Sequence, residues 1–133
     1  MKYLLDTNIC IYVIKRRPER VLARLEALHP EDVGMSSVTF AELEYGVKKS
    51  TDVARNAQAL LLFTAPLVIV PFDAAAASAY GDVRSDLERR GRTIGALDTM
   101  IGAQALALGV TLVTNNTREF SRIRGIELEN WTR

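Results

Sequence analysis

A single cysteine and a single histidine among 133 residues narrow the chemistry open to this chain. With Cys10 alone, no internal disulfide can form, which fits a reducing cytoplasm. With His29 alone, schemes that need two imidazoles are excluded, and Ser-His-Asp or Cys-His arrangements are disfavoured. His29 stands beside Pro30 and Glu31 in an expected loop and reads as solvated surface. No apolar run approaches the roughly 20 residues of a bilayer crossing, so no membrane segment is expected. The opening MKYLLDTN does not have the signal-peptide pattern, because its apolar run stops at Asp6. Neither charge dominates: 17 Lys and Arg against 16 Asp and Glu leave a net +1, so a polyanionic partner would have to be met by a local patch. Carboxylates and a metal ion are the tools that remain for catalysis.

What is present is an ordinary globular composition, 48% apolar and 25% charged, in a length that suits one domain with its own core. Tyr3-Leu4-Leu5 has the pattern of a short buried strand, after which Thr7 or Asn8 can cap a helix through Ile14. A second helix starts near Pro18 and aligns Val21, Leu22, Leu25 and Leu28 on one face. Val33 to Val38 reads as a strand, with Thr39 opening the next helix, and residues 52–63 form another. Leu67 to Val70 is a β-branched strand. Asp73 caps a helix that ends at Gly91, where a left-handed residue is expected. ALDTMIGAQALAL is helical up to Gly109, VTLVT is a strand, and a short helix and a strand at 126–128 complete the chain. Short apolar strands alternating with helices predict right-handed βαβ units and a largely parallel α/β sheet covered by helices on both faces. Sites in such folds form beyond the carboxyl ends of the strands.

Four acids fall at those ends: Asp6 after the first strand, Glu42 just past the second, Asp98 opening the helix before the last main strand, and Glu119 after that strand. Each has a structural explanation. Thr39-Phe40-Ala41-Glu42 fits a capping box worth about 1 kcal/mol, and Asn116-Thr117-Arg118-Glu119 fits another. Asp98 would complement a helix dipole by about 0.3–1 kcal/mol, and Asp6 can be a turn residue. Gathered at one edge, however, the same carboxylates would repel one another and raise their pKa values unless a cation lay among them. Oxygen donors suit Mg²⁺ or Mn²⁺, and such ions activate water for in-line attack on a phosphodiester. Water as the attacking group predicts a 5′-phosphate and a 3′-hydroxyl at the cut.

LLDTN, SSVTFAELEYG, GRTIGALDTMIGAQAL and LVTNNTREF, in this order and spacing, resemble the motifs of PIN-domain ribonucleases, and among these the VapC-type toxins of toxin–antitoxin pairs. The resemblance spans nearly the whole chain. It implies a single PIN domain over residues 1–133: a three-layer α/β/α sandwich around a mostly parallel sheet of four to five strands. It also implies a cytoplasmic Mg²⁺- or Mn²⁺-dependent endoribonuclease that cuts structured RNA such as tRNA. Its partners would be a VapB-type antitoxin and the RNA, with the chain in a homodimer or a toxin–antitoxin hetero-oligomer. Asp6, Glu42 and Asp98 match the family's acidic motif residues. In the last motif Glu119 keeps the second acid, while Asn116 stands where many members have the first, so the fourth metal ligand would be a neutral amide.

Around these, Thr7 and Asn8 either hydrogen-bond the carboxylates or cap the helix, and Thr114 can donate to Asp6 or Asp98. Arg92, after Arg89 and Arg90, is an RNA-phosphate candidate, and Lys15-Arg16-Arg17 forms a second basic cluster. Tyr45 is expected to pack. Two rival functions compete with the nuclease. A non-catalytic RNA- or partner-binding module would have no need of four acids. An aspartyl phosphatase built on Asp6 would want a second aspartate two residues on, where this chain has Asn8.

Overall fold

In the computed structural model, which describes all 133 residues, the strands and helices expected from the sequence form one sheet between two helical layers. The strands are β1 (Tyr3–Leu5), β2 (Val33–Ser36), β3 (Val68–Val70), β4 (Thr111–Val113) and β5 (Glu127–Glu129). The helices are α1 (Thr7–Lys15), α2 (Glu19–Glu26), α3 (Ser37–Lys48), α4 (Val53–Thr64), α5 (Ala74–Arg89), α6 (Ala96–Leu108) and α7 (Thr117–Phe120). All five strands pair in parallel, in the order β3-β2-β1-β4-β5. No helix is long and apolar enough to cross a membrane.

Alternation along the central strands creates the layers. Leu5 faces a core with Ile9, Val13, Leu43 and Leu60, contributed by α1, α3 and α4. Its neighbour Leu4 faces the other core, with Leu87, Ile101 and Phe120 from α5, α6 and α7. Val113 and Leu112 of β4 divide in the same way. Strands of three or four residues are enough because the central ones are covered on both faces, and each fully buried Leu or Ile contributes roughly 1.5–3 kcal/mol.

The chain steps outward from β1 through β2 to β3, then crosses to the far side of β1 for β4 and β5. The connections leaving β1 and β4 therefore diverge, opening a crevice at the carboxyl ends of these two strands.

Some boundaries differ from those read in the sequence. The second strand stops at Ser36, whose hydroxyl accepts the Val38 N–H at 3.0 Å and caps α3. The helix thus begins at Ser37, and Thr39 is buried inside it. Gly91 takes the expected left-handed conformation, φ +63°.

The last helix has only four residues, far too few to be stable by itself. Phe120, 1% exposed and packed in the second core, anchors it. Phe120→Ala should destabilise the protein by about 3–5 kcal/mol in urea denaturation; a loss under about 1 kcal/mol would show that this ring does not hold the segment.

Candidate active site

Asp6 is the first residue past β1, and it is only 4% exposed. One carboxylate oxygen, Oδ1, accepts the Ile9 N–H at 2.9 Å, which makes Asp6 itself the cap of α1. Neither Thr7 nor Asn8 has that role. The other oxygen, Oδ2, accepts the Thr114 hydroxyl at 2.5 Å, and the Asp6 N–H donates to the Val113 carbonyl at 3.0 Å. Burial pushes the Asp6 carboxyl up to about 6 against the pull of the Thr114 and Ile9 hydrogen bonds, and the charges of Asp98 and Glu42 push the same way.

Glu42 lies in the second turn of α3, since that helix starts at Ser37. With Ser36 as the cap, the expected Thr39–Glu42 capping box does not form. The Glu42 carboxylate instead accepts the Thr7 hydroxyl at 2.7 Å, from across the crevice. Asp98 stands in the first turn of α6. Its pKa is raised by partial burial first, then by the charges of Glu42 and Glu119.

The asparagine box also fails in its expected form. Asn116 occupies the cap position of α7, but its side chain makes no capping bond. Its amide Nδ2 donates to Glu119 Oε2 at 3.1 Å, while its backbone N–H donates to Thr114 Oγ1 at 2.9 Å. Thr114 thereby joins Asp6 to the last motif. Asn115 turns away and donates to the Tyr12 hydroxyl at 2.8 Å.

Other candidates stand apart. Asn8 is exposed and has no hydrogen-bond partner for its side chain. Arg90 is tied to Asp86 at 2.7 Å and to the Arg122 carbonyl at 2.5 Å, and Arg89 lies 3.8 Å from Asp86. Arg92 alone of that run is exposed and without an ion pair, as are Lys15, Arg16 and Arg17. Tyr45 does not pack: it is 66% exposed, with the Lys49 ammonium 5.1 Å from its ring centroid. Its spacing after Glu42 was the available signal, because i and i+3 share a helix face.

The donor set suits a hard divalent cation. The carboxylates and the amide carbonyl offer oxygen donors, and the Asp6 and Asp98 carboxyls are raised first by burial and then by the neighbouring acids, a cost that a cation would lower. No three of the Asp, Glu, His or Cys side chains stand close enough together to hold an ion among them. An ion that keeps several waters and takes one or two carboxylates directly fits so open an arrangement.

The strand order, with its crevice between β1 and β4, is that of a parallel α/β sheet. The model described as PIN domain matches residues 3–126, and the chain belongs to the PIN-domain family, in its VapC group. The chain is 43% identical over 132 residues to Ribonuclease VapC2 of Rickettsia felis, covering 98% of each. It is 42% identical over 132 residues to the tRNA(fMet)-specific endonuclease VapC of Shigella flexneri, covering 99% of each. Among solved structures, DNA-bound VapBC from Salmonella typhimurium superimposes with a TM-score of 0.94 at 40% identity over 98% of both chains. VapBC2 from Rickettsia felis, bound to a promoter fragment, does so with 0.92 at 42% identity, over 98% of this chain and 99% of that one.

The buried carboxyl has a measurable consequence. Folding raises the Asp6 pKa, so the folded chain holds that proton more tightly than the unfolded chain does. This stabilisation is complete below the unfolded value of 3.8 and is lost as pH climbs through about 6. The full span corresponds to roughly 3 kcal/mol. In EDTA, Asp6→Asn should therefore flatten the decline in unfolding free energy between pH 4 and 7, and be more stable than wild type at pH 7. Parallel pH profiles for the two proteins would refute the assignment of that strain to Asp6.

Proposed function

We infer that this chain is the toxin of a type II toxin–antitoxin pair, an endoribonuclease that hydrolyses structured RNA with Mg²⁺ or Mn²⁺. The observation that supports this reading is that the charges of Asp98 and Glu42 act on Asp6, and those of Glu42 and Glu119 act on Asp98, beyond the ends of β1 and β4. PIN-domain nucleases generally depend on divalent metals, and the oxygen-only donor set supports the same requirement here. When bound, such a cation lowers the pKa of a water and screens the charge that builds on the phosphodiester.

The chain's own residues do the positioning. The Ile9 N–H and the Thr114 hydroxyl hold both Asp6 oxygens in place and leave lone pairs free toward the crevice. Thr7 holds Glu42, and Asn116 holds Glu119. Asp98 rises from a helix N-terminus that favours its anionic form. Thr7, Thr114 and Asn116 act as positioning residues, with Asn116 also able to offer a carbonyl oxygen. Asn8 borders the site, and the unpaired Arg92 is available for an RNA phosphate.

The name of the Shigella flexneri relative supports tRNA as a substrate, and the VapBC complexes support a VapB-type antitoxin as partner. Exposed Leu61, Leu62, Val68 and Ile69 supply apolar surface suited to a partner chain.

Purified protein should cut RNA in Mg²⁺ or Mn²⁺ and leave 5′-phosphate ends, stop in EDTA, and lose at least about a hundredfold in rate on Asp98→Asn, consistent with the large electrostatic share of such catalysis. Cleavage that persists in EDTA would overturn the mechanism. Asn116→Asp adds a negative charge beside Glu119, and Mn²⁺ binding followed by calorimetry should tighten several-fold. Unchanged or weaker binding would place Asn116 outside the metal site.

A further inference from the structure

Glu42 and Tyr45 of α3, with Lys49 capping that helix, fall at i, i+3 and i+7, so one face carries a candidate catalytic acid, an aromatic ring and a cation in succession. A groove of about 830 Å³ runs along that face. Thr7 and Glu42 belong to it and to the acidic crevice, Tyr45 and Lys49 also line it, and Ile11, Val38, Ala41, Leu97 and Met100 form its apolar part. The Tyr45 ring is largely exposed, with the Lys49 ammonium near its face.

An RNA strand whose phosphate enters the acidic crevice must lay its neighbouring nucleotide against some adjoining surface. That nucleotide brings a flat π-face, which an exposed aromatic ring can stack, and a phosphate, which a mobile cation can meet. The groove supplies both, in that order, next to Glu42. Exposed cation–π pairs are weaker than base–aromatic stacking, so an arriving base displaces the Lys49 ammonium from the ring and frees it for the backbone.

We propose that Tyr45 is a stacking platform for an unpaired base flanking the scissile phosphate, with Lys49 contacting the RNA backbone. The proposal rests on the nuclease reading and adds that the substrate presents an unpaired nucleotide at the cut.

The test uses a short single-stranded RNA carrying 2-aminopurine, whose fluorescence falls on stacking, titrated against the Asp98→Asn protein in EDTA so that the RNA stays intact. Quenching should appear with Tyr45 and with Tyr45→Phe in that background, and Tyr45→Ala should weaken binding about tenfold or more. Lys49→Gln should reduce the salt dependence of binding by about one unit of slope. Equal quenching and affinity with Tyr45→Ala would overturn the proposal. So would a Tyr45→Ala protein that sediments as a smaller species with unchanged RNA binding, since the groove would then belong to a second copy of the chain. Cleavage by the wild type is scored separately: its absence in Mn²⁺ would overturn the nuclease reading, whereas cleavage together with an inert Tyr45→Ala would overturn the platform alone.

Discussion

The carboxylate of Asp6 is buried at the point where the sheet changes direction, and the structure around it answers to that constraint. A charge taken out of water is costly unless it is paired or hydrogen-bonded. Here the Ile9 N–H and the Thr114 hydroxyl come from the two chain segments that diverge at the crevice. These bonds start α1, close the end of β4 and join two strands 108 residues apart in sequence. They offset only part of the desolvation, so the carboxyl remains raised. The remaining imbalance is what a divalent cation would relieve, which makes the binding of metal and the stability of the fold two aspects of one electrostatic problem.

Layering and strand order follow from patterns the sequence displays openly. Tyr3-Leu4-Leu5 and Val110 to Val113 are apolar on both faces, so they belong at the centre of a covered parallel sheet. The place of Asp6 at the end of β1 was legible for the same reason. Capping was harder to read, because the same residue types serve as caps and as ligands. Ser36, Thr39, Asp6, Thr7 and Asn116 are all chemically suited to an N-cap. Only the path of the backbone decides that Ser36 and Asp6 cap, that Thr39 is buried and that Thr7 reaches Glu42. Loss of the Thr39 box matters for function, since it removes the purely structural explanation for Glu42.

Exposure was the other feature the pattern concealed. Tyr45 sits among apolar residues and reads as a packed position, yet its face of α3 borders a groove that no other element of the chain fills. The basic run Arg89-Arg90-Gly91-Arg92 misleads in the opposite sense. Asp86 of α5 engages Arg89 and the capping Arg90, and only Arg92, past the turn at Gly91, is left unpaired. Helical spacing at i and i+4 explains the Arg90 pairing.

The neutral amide at Asn116 changes more than the charge of the site. An aspartate there would stand next to Glu119 with like charge and could not donate to it. Asn116 does donate, through Nδ2, and so fixes the glutamate before any cation arrives. Its backbone N–H reaches Thr114 Oγ1, which in turn donates to Asp6. One chain of hydrogen bonds therefore runs from the last motif to the first acid. Of these contacts, the Asn116–Glu119 bond depends on the amide, whereas the backbone bond to Thr114 would survive an aspartate. The asparagine thus exchanges one unit of attraction for the metal for a hydrogen bond that orders Glu119 in its absence.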